Sequence, residues 1–401
     1  MAVPTKYRKI LSPKPYWDWG RSMDYQLNEL QQMLQQSVEK YVERDYEFST
    51  RQELAVTDLG YSEENWQQFA ELGWLGVPFT EEQGGFGGGA TELMVLFEAF
   101  GKALLLEPYL ANVVLGGQLL ARAGSNQQIE QVLPAVIAGE IKLAVAHSEA
   151  QSRYQLSRVA CTAVAKGGGY QLNGHKALVL NGQNADYLLI TARTNGAVDD
   201  SEGISLFLVP VNAAGVTVRG YRTVDALQAA DVQLDGVEVS GNALLGNPGD
   251  AYADIEWVTD QGIAALCAEA LGCMESLQSA TLEYLQTRKQ FDVAIGKFQS
   301  LQHAAVDMFM ALSQSRSMVY LAANKADAEP SERRAALSAA KNFVGRAGRL
   351  IGQSAVQLHG GVGVSDELDV SHYFKRLTAI NTWLGDDHHH LGQYSDIMLD
   401  G

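Results

Sequence analysis

Arg288, Gln290, Phe291, Gln299 and Gln302 fall within one short stretch, RKQFDVAIGKFQSLQH (288–303). A cation, an aromatic ring and three amide side chains form an unusual set for a helix that only packs. Gln357 to Gly363, QLHGGVG, adds another amide and a run of glycines. Together the two stretches read as half of a binding site. Taken singly, Arg288 reads equally well as a surface salt bridge and Gly360-Gly361 as a helix C-cap.

Other chemistry-bearing residue types lead less far. Five glycines lie between 84 and 89, before a helical pattern, but no GK[ST] follows and no strand precedes them, which argues against a phosphate loop. His388, His389 and His390 are consecutive, so they cannot share one helical face as paired metal ligands do; DDHHH reads as a solvated loop and no metal is expected. Cys161, Cys267 and Cys273 have no zinc-type spacing and read as reduced thiols, which suits a cytoplasmic location.

These residues need elements to hold them. The chain has 401 residues, 46% hydrophobic and 19% charged, as expected of a globular protein of two to three domains. Its net charge of −17 argues against nucleic acid or an anionic membrane as the main partner. The N-terminus lacks the apolar run of a signal peptide, and no stretch is long and apolar enough for a membrane span. Residues 1–22, with Pro13 and Pro15, read as an irregular arm.

From Met23 to 140 the pattern is helical, with Leu27, Leu30, Leu34, Val38, Tyr41 and Val42 on one face. Further helices are expected near 62–72, 90–105, 108–123 and 126–138. From 141 to 240 short β-rich runs replace the helical period. Gly167-Gly168-Gly169, Asn173-Gly174 and Asn181-Gly182 read as hairpin signals. No helix separates the runs, which excludes a parallel Rossmann sheet and favours an antiparallel barrel or sandwich. From 241 to 401 helices return, at about 252–289, 297–327, 331–359 and 366–382, with small residues that allow a close bundle. The fold class is mostly α with a central antiparallel β domain.

Four ordered stretches carry a family resemblance. GWLGVPFTEEQGG, NGHKALVLNG, TRKQFDVAIGKFQSLQH and AVQLHGGVGVSDELDVSHYFKRL resemble signatures of the flavin-dependent acyl-CoA dehydrogenases, from Met23 onward. HSEAQSRYQL, GKALLLEPYL and YFKRLTAINTWLGDDHHHL look most like the small subunit of pimeloyl-CoA-type dehydrogenases, which resemble the two-subunit members. The resemblance implies a helical N domain, a β-barrel middle domain and a four-helix-bundle C domain. It also implies αβ-desaturation of an acyl-CoA by FAD, with a carboxylate taking the α-proton and an electron-transfer flavoprotein taking the electrons. In the family the flavin lies between subunits, so a dimer or tetramer is expected.

Residue by residue, the resemblance places Arg288, Gln290, Phe291, Gln299, Gln357, Gly360 and Gly361 on the FAD of a neighbouring chain. Ser148 matches a hydroxyl on the flavin pyrimidine. The cis half departs from the pattern: Arg153 and Tyr154 replace small residues, Leu178 a tryptophan over the ring, and Leu180 a hydroxyl near the flavin N5. The two places where the family carries its base read Leu384 and Gly262, the latter twenty-six residues before Arg288. Asp386 is the nearest substitute, with Asp260 and Glu256 behind it. Three readings follow: a subunit paired with a paralogous, catalytic partner; a self-sufficient enzyme using Asp386; or a non-catalytic scaffold that binds FAD or acyl-CoA.

Overall fold

The computed structural model describes residues 27–400. The arm expected at 1–22, and the expected helix start at Met23, lie outside the described residues. The first helix, α1 (Glu29–Asp45), begins where the Asn28 side chain accepts the Gln31 N–H and Gln31 reaches back, a reciprocal cap that fixes its start. α2 (Phe48–Ala55) was not expected from the sequence. Its face buries Arg51, whose guanidinium donates to the Leu104 and Asp225 carbonyls, so apolar periodicity does not reveal it. α3 (Glu63–Glu71), α4 (Ala90–Ala103) and α6 (Asn126–Ile137) lie where expected. Between them, Leu110–Gly117 is a π-helical stretch that runs into α5 (Gln118–Ala123).

The central sheet contains β1 (Leu143–Ala146), β2 (Thr162–Lys166), β3 (Gly169–Leu180), β4 (Tyr187–Arg193), β5 (Ile204–Pro210), β6 (Val216–Arg222), β7 (Gln228–Ser240) and β8 (Leu244–Leu245). The order is β6-β7-β3-β2-β4-β5-β8, with β1 lying parallel to β4 and most other pairs antiparallel. Only the first hairpin signal is a hairpin turn: Gly167-Gly168 joins β2 to β3. Asn173-Gly174 falls inside β3, at a register shift against β7. There Gly174 has φ 148°, and a Cβ would lie 2.2 Å from Cys161 Sγ, so close strand approach, not a turn, requires the glycine. Asn181-Gly182 ends β3 in a single helical turn that leads to β4.

The second helical part opens with α7 (Tyr252–Thr287). A small hairpin, β9 (Lys289–Gln290) and β10 (Val293–Ala294), follows it. Then come α8 (Gln299–Lys325), α9 (Pro330–His359), α10 (Asp369–Thr382) and α11 (Asp387–Asp400). α11 occupies the segment read as a solvated DDHHH loop. α7 is buried along most of its length, and Gly101 of α4 meets it so closely that a Cβ would lie 2.0 Å from the Glu269 carbonyl. Among the described residues no helix is long and apolar enough to cross a membrane.

Candidate functional site

A cavity of about 380 Å³ lies where the three parts of the chain meet. Its walls come from the π-helical stretch (Ala111, Leu115), the loop after β1 (Ser148–Leu156), β3 (Ala177, Leu178, Leu180), the start of α7 (Ile255–Ile263) and the α10–α11 turn (Trp383, Leu384). The lining is mainly hydrocarbon, as expected of a site for an apolar ligand.

The 148–156 loop is held from inside. The Glu149 carboxylate accepts from Lys176 Nζ at 2.7 Å, from the Ala160 and Cys161 N–H groups at 2.8 and 3.0 Å, and from Gln151 at 2.7 Å. Burial pushes its pKa up, but Lys176 and the backbone donors pull it down further, and the net shift is downward. His147 beside it is pressed down to about 3 by burial and by the Lys176 charge, so it is a neutral imidazole. Lys176 sits at the same inward register of β3 as Leu172, two pleats away. That alternation was a sequence signal for a buried cation, and the sequence reading missed it. Beyond Lys176 a bulge turns β3: Leu178 takes φ 54°, is half exposed, and its N–H goes to Asp231 at 3.4 Å. Ser148 and Leu180 both reach the cavity wall.

Gly262 and Leu384, far apart in the chain, meet in space. A Cβ on Gly262 would lie 2.7 Å from Leu384 Cδ1 and 2.9 Å from Leu115 Cδ2. Neither position carries a group that can take a proton, and leucine methyls fill the space between them. The turn that carries Leu384 (φ 55°) is fixed by a buried cation, Lys341. Its Nζ donates to the carbonyls of Ile380, Trp383 and Gly385 at 2.8, 2.9 and 2.7 Å, and burial lowers its pKa to about 8. His390 lies within 3.0 Å of the Leu384 carbonyl, and burial holds its pKa near 3.

Three carboxylates were candidates for the base. Asp386 Oδ1 accepts the His389 N–H at 2.8 Å and so caps α11. Asp386 lines an outer chamber instead of the cavity. Asp260 does line the cavity, but Arg333 holds it at 2.7 Å; burial raises its pKa against that pull. Glu256 is paired with Arg334. The cavity-lining carboxylates among the described residues are therefore Glu149 and Asp260, and each already has a cationic partner.

The other candidate residues gather on a different edge. Arg288 follows α7 directly, and Gln290 and Phe291 stand on the β9–β10 hairpin, in the gap that the sequence leaves between two helices. Gln299 opens α8. Tyr284, one turn before Arg288, stacks on His359 at 4.4 Å, which joins this edge to Gln357, Gly360 and Gly361 at the end of α9. Gly360 does cap α9, its N–H reaching the Gln357 and Val356 carbonyls. Its φ 67°, ψ −144° is a conformation essentially reserved for glycine. A Cβ on Gly360 or Gly361 would meet nothing within 4 Å, so this backbone is bare. Phe291 is 87% exposed, and among the described residues Arg288 has no ion-pair partner.

Comparison with known proteins identifies the family. Models of the acyl-CoA dehydrogenase N-terminal, middle and C-terminal domains match residues 28–140, 144–237 and 254–399 in order. The chain belongs to the acyl-CoA dehydrogenase family. It is 28% identical to the probable acyl-CoA dehydrogenase YngJ of Bacillus subtilis, over 87% of this chain and 92% of that protein. Among solved structures it is similar to the ChsE4-ChsE5 complex from Mycobacterium tuberculosis, with TM-score 0.85, 27% identity and coverage of 94% of this chain and 100% of that one. It is also similar to the FAD complex of PigA, with TM-score 0.87, 25% identity and the same coverage. Acyl-CoA dehydrogenases are oxidoreductases acting on CH–CH bonds with a flavin acceptor.

Within this acyl-CoA dehydrogenase fold, the ring contact between Tyr154 and His389, 5.2 Å between centroids, is a feature the sequence reading did not find. It stands between the cavity and the outer chamber, and both residues line both spaces. No local signal pairs residues so far apart in the chain; only the chain path over the cavity brings them together.

Proposed function

We propose that this chain is one subunit of a heteromeric, FAD-dependent acyl-CoA dehydrogenase, with a degenerate site of its own. One observation carries the reading. The two positions where the family keeps its base, Gly262 and Leu384, meet each other through leucine methyls, while among the described residues Arg288 has no ion pair and Gly360 and Gly361 stand bare.

That edge fits FAD. Arg288 offers a planar fork for pyrophosphate oxygens, Phe291 a ring face, and Gln290, Gln299 and Gln357 amide groups; Gly360 and Gly361 leave the backbone open to approach. These residues would hold FAD bound in a neighbouring chain's β domain, and Ser148 and Leu180 line the corresponding place in this one. When bound, FAD supplies the hydride acceptor. The substrate is an acyl-CoA, and the electrons pass to an electron-transfer flavoprotein. A relative 27% identical to this chain is named a subunit of a caffeyl-CoA reductase-Etf complex, and the ChsE4-ChsE5 structure is titled as a complex of two different proteins. A flavin shared between chains requires at least a dimer.

The test is co-expression with a paralogous dehydrogenase encoded nearby, followed by counting flavin per chain. The expected result is one flavin for two chains in an active complex, and no αβ-desaturation by this chain alone. Full flavin occupancy and full turnover from this chain alone would overturn the proposal.

Asp386 has a separate expectation. Asp386→Asn keeps the α11 cap, since Asn caps as well as Asp, and leaves turnover of the complex unchanged. Asp386→Ala lowers stability by about 1 kcal/mol in a denaturant melt. A collapse of turnover in the Asn variant at unchanged stability would restore Asp386 as the base.

A further inference from the structure

An outer chamber of about 720 Å³ adjoins the cavity. Arg153 lies on their shared wall. Inside, Leu115, Val258 and Ile263 present hydrocarbon; outside, the wall is cationic, although the whole protein is strongly acidic. Two of the outer cations are compensated: Arg158 pairs with Asp199 at 3.2 Å and Arg334 with Glu256. Among the described residues Arg153 has no ion pair and no side-chain hydrogen bond. Asp386 also faces the outer chamber, with one oxygen taken by the His389 N–H.

Arg153 is held in an unusual backbone. Its φ is 46°, in the left-handed region, which for an L residue other than Gly, Asn or Asp costs roughly 1–2 kcal/mol. The turn before it enforces this: the Ser152 hydroxyl donates to the Glu149 carbonyl at 2.9 Å, and the Lys176–Glu149 pair anchors that turn from below. The backbone of Arg153 is thus set, and its guanidinium, exposed and without an ion pair among the described residues, stands where an apolar space opens into a polar one, the placement an amphipathic anion requires.

We propose that the cavity of this chain takes a ligand with an apolar body and a carboxylate head, the body among Leu115, Val258 and Ile263 and the head on Arg153. The carboxylate belongs either to a free acid or to the far end of a dicarboxylic acyl thioester. The inference goes beyond the subunit reading, since it needs neither partner chain nor turnover.

The test is calorimetric titration of the purified full chain at low salt with decanoate, decanamide, decanoyl-CoA and the mono-CoA thioester of decanedioic acid. In one or both matched pairs, the carboxylate-ended member is expected to bind at least about tenfold more tightly, the scale of one charge-assisted hydrogen bond. Preference within the decanoate–decanamide pair identifies a free acid; preference only within the thioester pair identifies the dicarboxylic source. Arg153→Ala abolishes the preference and leaves the melting midpoint unchanged, and Arg153→Lys keeps part of it. Equal binding within both pairs, no binding by any of the four, or a preference that survives Arg153→Ala overturns the proposal. None of these results depends on turnover or on a partner chain, so they stand apart from the fate of the subunit reading.

Discussion

Replacing Arg288 by alanine is expected to weaken flavin retention by the assembled enzyme about ten- to hundredfold, while the melting of this chain stays within about 0.5 kcal/mol of the parent. Nothing in the isolated chain depends on the guanidinium: it is exposed, and no ion pair holds it among the described residues. Its backbone bonds, N–H to the Tyr284 carbonyl and carbonyl to the Ile295 N–H, survive the change. On the proposed function, what disappears is one bidentate donor to phosphate. A hydrogen bond to a charged group contributes about 1.5–3 kcal/mol, and each 1.4 kcal/mol is a factor of ten. Arg288→Lys keeps the charge but not the planar fork and should fall between the two. Flavin fluorescence released on dilution of the complex measures the effect; retention equal to the parent would remove Arg288 from the cofactor site.

The contrast between the two edges of the molecule also explains what the sequence made legible. Arg288, Phe291, Gln299 and the Gln357 stretch stand out by residue type, because exposed polar and aromatic groups need not obey a packing pattern. The long helices α7, α8 and α9 follow from apolar periodicity and small residues. The misses share a different cause. Buried polar groups make a segment look like a surface loop: Arg51 hides α2, while Asp387 and His390, both buried, make the start of α11 look solvated. Asn173-Gly174 imitates a turn because the same glycine serves close strand approach. The convergence of Gly262 on Leu384 is a property of the fold alone, since α7 and the α10–α11 turn are brought together by packing.

Removing Arg376 is expected to produce the largest loss of stability in the chain. Its guanidinium donates two bonds to Glu269 of α7, both at 2.6 Å, and a third to Asp225 of the β6–β7 loop at 2.6 Å. It lies 4.9 Å from the centre of the Trp383 ring, on the wall of the cavity. All three charged side chains are buried. Breaking such a cluster by deleting one member strands the others away from water, which costs about 3–5 kcal/mol. Arg376→Met fills most of the volume and isolates the charge effect from the packing effect. The acid response of the variant should be diagnostic. In the variant, Glu269 and Asp225 are buried without their cation, so burial raises their folded-state pKa above the unfolded value. The folded variant then binds more protons than the unfolded chain, and its deficit against the parent shrinks as pH falls from 7 toward 5. A triple change, Arg376→Met with Glu269→Gln and Asp225→Asn, removes the stranded charges and should recover much of the loss at pH 7. Denaturant melts of the three proteins at both pH values decide the matter. A single-variant loss below about 1 kcal/mol, or a deficit that grows on acidification, would mean that this triad does not join the bundle to the β domain as its geometry implies.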